Sequence, residues 1–317
     1  MIPLHVEIIY LLVGIPSFVF YVAVIATLLR GSNKDVFGFA FYRIFAVTGI
    51  MDCFNYVINT ITYRFPMCPT FSLLYVNFKR SFVTTFFYFA LFFCGYFQIH
   101  GHTLMALNRL STVACPSKHK TFWTSYYVHC IAVVTFLAFA GSWQNLFSNA
   151  EFARHEVNGT EEIFFTFKFD EDNVIIGKPT QFNSIMNAAT YIFVSLLQLA
   201  MNIATVVLLV RQNKRAKAAS VKRASKPEMN LFFLSVAMFF IGLTMGVYQV
   251  GVTLLLFAKN EAIVGFLNNY LWIADLNQLS PPYLLFLASA TARKTILQSF
   301  GLKKRKKKES SALFVTR

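Results

Sequence analysis

Seven apolar stretches, each long enough to cross a bilayer, alternate with short charged segments along this chain. A membrane-spanning helix needs about 20 apolar residues, and every stretch meets that length. The chain has 29 basic and 14 acidic residues, yet only Arg43, Asp52 and Asp275 lie inside the stretches. We interpret the stretches as seven transmembrane helices, which cover approximately 8–29, 39–62, 82–107, 126–148, 186–210, 229–257 and 263–290.

The composition excludes most other classes of protein. Hydrophobic residues make up 56% of the chain and charged residues 14%, whereas soluble domains carry about 25% charged residues. This balance argues against a soluble enzyme, a disordered chain and a disulfide scaffold. The net charge of +15 would suggest nucleic acid in a soluble domain, but the basic residues are segregated into the connecting segments. We therefore predict no nucleic-acid partner and an all-α membrane protein, a seven-transmembrane helix bundle.

The basic residues of the connecting segments predict the orientation of the bundle. One alternate set of segments, which ends with the C-terminal tail, holds 21 Lys and Arg residues, whereas the other set, which begins with the N-terminus, holds 7. Cytoplasmic segments carry the excess of Lys and Arg. We therefore expect the N-terminus outside and the C-terminus in the cytoplasm. The cytoplasmic set comprises segments 30–38, 108–125, 211–228 and 291–317.

Three segments carry candidate residues for modification or lipid binding. The triplet that begins at Asn158 is an acceptor for N-glycosylation and lies in the predicted outer segment 149–185. Ser220 and Ser225 follow basic residues in a cytoplasmic segment and are candidate phosphorylation sites. Residues 1–290 are expected to form the bundle, and the remaining 27 residues a basic tail that begins with a short amphipathic helix and binds anionic lipid.

The sequence has no motif of a known catalytic class, and we predict that the protein is not an enzyme. Walker, HExxH and GxSxG motifs are absent. His100 and His102 are two residues apart, so they point to different faces of a helix and make a poor metal pair. We predict no cofactor and no metal. Seven spans also do not divide into the two halves of an inverted-repeat transporter.

Several sequence blocks resemble a known receptor family. They are Gly14-Ile15-Pro16-Ser17-Phe18, Met105-Ala106-Leu107-Asn108-Arg109-Leu110, Cys115-Pro116-Ser117-Lys118-His119-Lys120, Phe122-Trp123, Ser280-Pro281-Pro282-Tyr283-Leu284-Leu285 and Arg293. In these blocks the chain resembles the nematode serpentine chemoreceptors of the Srg superfamily, most of all the gamma and V classes. The resemblance implies a seven-span receptor that couples to a heterotrimeric G protein. The chain departs from rhodopsin-like receptors, because the third span ends in Asn-Arg-Leu and segment 149–185 has no Cys.

The ends and middles of the spans supply candidate residues for an activation switch. The resemblance implies that Arg109, which follows Asn108, holds the closed bundle by polar contacts and meets the G protein once the bundle opens. The alternative is an interfacial Arg that contacts lipid phosphate. Asp52 shares a helix face with Asn55 and Asn59, and it should point into the bundle because a charge at membrane depth costs about 2.5–3.5 kcal/mol. This face forms either a hub that rearranges on activation or a static hydrogen-bond network.

The last span is predicted to be kinked. Pro281 and Pro282 remove two helical donors, and the carbonyl groups that lose their partners must be met by neighbouring helices or water. We include both prolines and the adjacent Tyr283 among the candidate activation residues. Asp275, in the same span, is a candidate counter-ion for a cationic ligand.

The outer half of the third span is a candidate lining for a ligand pocket. Thr85 and Tyr88 alternate there with Phe residues, and small-molecule pockets are mostly apolar with a few polar groups. The same pattern also fits a helix that faces lipid.

We therefore predict a plasma-membrane chemoreceptor, expressed on sensory neurons, that binds a small molecule and activates a heterotrimeric G protein. The first alternative is a subunit of a seven-span ligand-gated cation channel, which has the inverted topology. The second alternative is a transporter. The charge of the connecting segments disfavours the channel.

Overall fold

A computed structural model describes residues 8–30, 39–68, 71, 74–75, 81–147, 149–157, 160–168, 179–218, 226–258 and 270–301. Within these residues, six helices are long and apolar enough to cross a membrane. The seventh predicted span is present as two consecutive shorter helices, interrupted before the paired prolines.

The helices follow the predicted order of spans. They are α1 (Ile15–Leu29), α2 (Ala40–Asn59), α3 (Phe82–Ala114), α4 (Pro116–Ser142), α5 (Pro179–Ala218) and α6 (Lys226–Ala258). The seventh span consists of α7 (Tyr270–Leu279) and α8 (Pro281–Ala288), and α9 (Ala290–Ser299) follows it.

Two helices have a π-helical turn at the same end of the bundle. The turn Tyr10–Gly14 leads into α1, and the turn Thr60–Arg64 continues α2, followed by a short helical turn Phe65–Met67. The second span is therefore helical to Met67, five residues beyond the predicted end. Residue Arg64, which the sequence analysis placed in a connecting segment, belongs to the bundle.

Helices α3 and α4 are separated by Cys115 alone, although the sequence predicted a connecting segment at 108–125. Charged and polar residues ended the predicted spans, whereas helices extend past the apolar region when their ends are capped. Pro116 begins α4 at a position where a helix has no use for an N–H donor. At the other end of α3, Ser81 and Thr84 form a reciprocal capping box.

Helix α3 lies at the centre and contacts α2, α4, α5 and α6. Small residues permit its close approach to α2. A Cβ atom at Gly101 would lie 2.5 Å from Thr48 Oγ1. Gly49 of α2 likewise permits the close approach of α1, because a Cβ atom there would lie 2.7 Å from the ring of Tyr21. The largest cluster of buried apolar side chains joins residues of all four N-terminal helices, and it includes Trp123 of α4.

A β-hairpin covers one end of the bundle, and the sequence analysis did not predict it. Strand β1 (Asn149–Val157) pairs with β2 (Thr160–Lys168) in antiparallel register, with Val157 opposite Thr160. Strand β1 contacts α3, and β2 contacts the end of α2. The ring of Phe152 lies 4.7 Å from that of Tyr75. We call this the hairpin end of the bundle, and we call the opposite end, where α3 meets α4, the Cys115 end.

Candidate ligand-binding and coupling site

At the hairpin end, a buried ion pair joins the second and seventh spans. Arg64 Nη2 donates to Asp275 Oδ1, and Arg64 Nη1 donates to Thr60 Oγ1 at 2.9 Å. The side chains of Arg64 and Asp275 are only 8% and 16% exposed. The predicted counter-ion, Asp275, thus already has a cationic partner within the chain. No local sequence signal points to this pair, because its members are 211 residues apart.

Aromatic rings surround the Arg64 guanidinium. Its Cζ atom lies 5.0 Å from the Tyr10 ring centroid and 4.8 Å from that of Tyr56. The Tyr10 ring in turn lies 4.5 Å from the ring of Trp272 on α7. Gly14 allows Tyr56 to pack closely against the start of α1, because a Cβ atom at Gly14 would lie 2.3 Å from the Tyr56 hydroxyl oxygen. The cation is therefore held among helices α1, α2 and α7.

The asparagine face of α2 continues from this cluster. Tyr270 Oη donates to Asn59 Oδ1 at 3.1 Å, and Asn59 Nδ2 donates to Asn55 Oδ1 at 3.3 Å. The rings of Tyr63 and Tyr248 lie 5.3 and 5.8 Å from the ring of Tyr270. The interior of the hairpin end is accordingly rich in tyrosine.

The two candidates on α3 lie under the hairpin. Thr85 and Tyr88 are both buried. Tyr88 belongs to an apolar cluster with Ile58 of α2, and Phe152 of β1 packs against that cluster. The structure thus places both residues inside the hairpin end, with Tyr88 on the side of α3 that faces α2 and β1.

A second polar cluster lies in the middle of the bundle and joins four helices. Tyr21 Oη donates to Asp52 Oδ2 at 2.7 Å, and the Gln98 side chain also interacts with the Asp52 carboxyl group. Gln98 Nε2 donates to the main-chain oxygen of Asn277 at 3.0 Å. Asp52, only 1% exposed, faces the bundle interior as its cost in lipid predicts.

The break in the seventh span is tied to this central cluster. Pro281 has no N–H group to donate to Asn277 O, the acceptor one helical turn earlier, and Gln98 supplies that donor instead. Both Pro281 and Pro282 are buried. Tyr283 lies on α8 and donates from Oη to Ser17 Oγ at 2.9 Å. The turn before the prolines is thus bonded to α3 through Asn277 O, and Tyr283 joins α8 to α1.

At the Cys115 end, Arg109 lies against the start of α2. Its Cζ atom is 3.8 Å from the ring centroid of Phe41, a cation–π distance. Asn108 is buried, and its main-chain oxygen accepts hydrogen bonds from Ser111 Oγ and Thr112 Oγ1 at 2.9 and 2.8 Å. Arg109 is thus half-buried and packs between α3 and α2.

Ser111 joins α3 to α4 and was not among the predicted residues. Its Oγ accepts from Trp123 Nε1 at 2.8 Å and lies 3.0 Å from His119 Nδ1. These contacts involve residues of the sequence block that carries the family resemblance. The block therefore forms the tight α3–α4 junction.

Helices α5 and α6 pack against the end of α3. Gln212 Nε2 donates to the Val113 main-chain oxygen at 2.7 Å, and Val113, Leu209 and Phe232 form a buried apolar cluster. The Cys115 end is therefore closed, with α3, α5 and α6 in contact.

Some predicted residues lie outside the part of the chain that the structure describes. They are Asn158, Ser220, Ser225 and the tail from residue 302 onward. Among the described residues, no group of three or more His, Cys, Asp or Glu side chains is placed to hold a metal ion. The short amphipathic helix predicted at the start of the tail lies at the position of α9, whose Ala292 and Ile296 are buried against the bundle.

Comparison with known proteins shows the family to which the chain belongs. Residues 10–302 match the sequence profile of the family described as "Serpentine type 7TM GPCR chemoreceptor Srv". This chain belongs to the Srv family. The matched range of this Srv receptor contains all the polar clusters described above, from Tyr10 to Arg109 and Asp275.

A curated relative agrees with this assignment. "Serpentine receptor class gamma-16" of Caenorhabditis elegans is 28% identical over 151 residues, which cover 42% of this chain and 42% of that protein. The alignment thus spans less than half of either protein. The predicted resemblance to serpentine chemoreceptors and the predicted seven-transmembrane bundle are confirmed. The Srv receptor is a multi-pass membrane protein of a chemoreceptor family.

Proposed function

We propose that this Srv receptor lies in the plasma membrane of sensory neurons with its hairpin end outside, where it binds a small molecule. It activates a heterotrimeric G protein at its Cys115 end. The observation that carries the proposal is the contact of Arg109 with Phe41, a charged residue of the predicted switch held against a neighbouring helix in a closed bundle.

The distribution of basic residues supports the orientation. At the Cys115 end, α4 begins with the exposed Lys118 and Lys120, and the exposed Arg211 and Lys214 lie near the end of α5. Cytoplasmic ends carry this excess of cations, which also attracts anionic lipid at about 1 kcal/mol per residue. The same end therefore offers a basic surface to lipid and to a G protein.

The clusters at the hairpin end support a ligand site there. A buried ion pair and several tyrosine hydroxyl groups lie among aromatic rings, as in small-molecule pockets that orient a ligand with a few polar groups. Thr85, Tyr88 and Asp275 remain the candidate lining residues from the sequence, and Arg64 joins them.

The central cluster couples ligand binding at the hairpin end to helix movement at the Cys115 end. Asp52 and Gln98 join α1, α2 and α3 to the interrupted seventh span. In this proposal, ligand binding favours a bundle in which α5 and α6 separate from α3 and Arg109 leaves Phe41. A ligand can shift this equilibrium only by as much as its affinities for the two states differ.

Replacement of Arg109 tests the coupling role. We expect Arg109→Ala to lower G-protein activation at least about fivefold, the low end of a typical coupling energy, with unchanged surface expression. Arg109→Lys should retain part of the activity, because it keeps the charge but not the planar guanidinium. The measurement is nucleotide exchange on co-expressed Gα subunits of each class, in cells exposed to a panel of volatile and water-soluble odorants.

The exposed Lys118→Ala, in the same basic segment, is the matched comparison: it removes one of several cations of the basic surface and should lower activation much less than Arg109→Ala does. Equal losses in the Lys118 and Arg109 variants would assign both residues to a general basic surface. Full activation by Arg109→Ala, or a surface-expressed wild-type receptor that activates no Gα class under any odorant, would refute the proposed coupling.

A further inference from the structure

We infer that Arg64 recognises the carboxylate of a small organic acid, and that Asp275 is the internal anion that this acid displaces. The inference rests on the proposed ligand site at the hairpin end and names its ligand class. Three features support it: the hydrogen-bond donors of Arg64, the aromatic rings around its guanidinium, and the two π-helical turns that meet at this site.

Arg64 has an unused donor on a buried side chain. A guanidinium has five N–H donors, and here Nη1 donates to Thr60 Oγ1 and Nη2 to Asp275 Oδ1. The Nε atom is buried and has no hydrogen-bond partner among the residues that the structure describes. A carboxylate accepts two parallel N–H bonds from an arginine fork, so the edge that carries Nε can receive one.

The rings of Tyr10 and Tyr56 leave that donor unmatched. Cation–π contacts stabilise the charge of the guanidinium, but a ring centroid about 5 Å away is not an acceptor for Nε. Together with Trp272, which packs on Tyr10, the rings offer an apolar surface. A ligand with a carboxylate and an apolar body matches both properties.

A buried ion pair of this kind contributes little to folding stability by itself. Desolvation offsets much of the attraction between buried charges, and apolar replacements of a buried pair are often neutral or stabilising. Two π-helical turns also converge here, since Tyr10 begins one and Arg64 ends the other. Such turns occur frequently at functional sites. A pair with a vacant donor between two irregular turns is suited to exchange of partners.

The charges favour an anion over a cation. Asp275 is already neutralised by Arg64, so a ligand ammonium group would reach it only beside another positive charge. A ligand carboxylate approaches the guanidinium and competes with Asp275 for it, because two anions around one cation repel each other. Displacement frees Asp275, which lies two residues before the Asn277 carbonyl held by Gln98, and so loosens α7 from α2.

The experiment uses the purified full-length receptor and three six-carbon probes that differ in the polar head group: the anion hexanoate, the neutral 1-hexanol and the cation hexylammonium. The readout is the melting temperature as a function of probe concentration, since a compound that binds only the folded state raises it. For the wild type we expect a saturable rise with hexanoate that the other two probes do not give. Arg64→Gln should weaken hexanoate binding at least about tenfold.

Asp275→Asn should strengthen hexanoate binding about threefold or more, because the competing anion is gone. Arg43→Gln is the matched control, since Arg43 lies in the same second span and has a tyrosine partner, with Arg43 Nη1 donating to Tyr127 Oη at 2.8 Å. This variant should bind hexanoate as the wild type does. If Arg64→Gln does not fold, the double variant Arg64→Met with Asp275→Leu removes both charges and should likewise lose the hexanoate preference.

Stabilisation by hexylammonium that Asp275→Asn abolishes would overturn the inference in favour of a cationic ligand. Equal shifts with all three probes, or no shift with any, would overturn it as well. These outcomes do not depend on G proteins, so they are separate from the test on Arg109. A receptor can thus fail one test and pass the other.

Discussion

Gln98 of α3 donates a hydrogen bond from Nε2, at 3.0 Å, to the main-chain oxygen of Asn277. This oxygen is the one that the N–H of residue 281 would meet in an uninterrupted helix, and residue 281 is proline. A side chain of the central helix thus replaces a main-chain donor of the seventh span. The break in that span is thereby fixed to α3 at membrane depth, where an unmatched carbonyl is costly.

Replacement of the donor tests this relationship. Gln98→Met keeps the volume but removes the amide, so it leaves Asn277 O unmatched and should lower the unfolding free energy by about 1–2 kcal/mol. Pro281→Ala restores a main-chain N–H for the same oxygen, so in that background Gln98→Met should cost about 0.5–1.5 kcal/mol less. Denaturing-detergent titration of the wild type, the two single variants and the double variant measures both quantities. Strictly additive effects would show that the two donors do not serve one acceptor.

The contact between Gly101 and Thr48 predicts a steric effect. A Cβ atom at Gly101 would lie 2.5 and 3.0 Å from Thr48 Oγ1 and Cγ2, so Gly101→Ala should destabilise the bundle by about 1–3 kcal/mol. Thr48→Ala in the same chain should recover part of the loss. Gly242→Ala is the control, because a Cβ atom there would meet nothing within 4 Å. A similar loss of melting temperature for both glycine variants would be inconsistent with this packing.

The hydroxyl group of Tyr21 predicts a difference between two Tyr→Phe variants. Tyr21→Phe removes the donor to a carboxyl group that is 1% exposed, and a buried acceptor left without its donor costs about 1–3 kcal/mol. Tyr283→Phe removes a bond to a neutral hydroxyl from a side chain that is 42% exposed, for which about 0.6 kcal/mol is typical in membranes. The two unfolding free energies are compared directly. A smaller loss for Tyr21→Phe would contradict the central position of Asp52.

The sequence predicts spans better than contacts between them. Long apolar stretches cross bilayers whatever their neighbours are, so seven spans are recognisable from composition alone. The predicted second span, 39–62, stops two residues before Arg64, since a charged side chain is typical of the end of a transmembrane helix. Only the packed structure shows that Asp275 lies within reach, since pairing across 211 residues has no local pattern.

The β-hairpin is a different case, since its signal was present. Asn-Gly is a favoured pair for a two-residue hairpin turn, and Asn158-Gly159 is followed by residues 165–168, which alternate Phe with polar residues. The same residues begin the triplet that fits a glycosylation acceptor, and that motif alone does not indicate the hairpin. The tight α3–α4 junction was also missed, because Ser111 and Trp123 are 12 residues apart and meet only once both helices have formed.

The central claim is that the hairpin end lies outside the cell and the Cys115 end in the cytoplasm, because a G protein can contact Arg109 only from the cytoplasm. Glycosidase sensitivity of the receptor tests it most directly, with an Asn158→Gln control and a second variant that carries an added acceptor triplet in the lysine-rich tail. We predict a glycan on Asn158 and none on the tail. A glycan on the tail and none on Asn158 would invert the bundle, contradict G-protein coupling and favour the channel alternative.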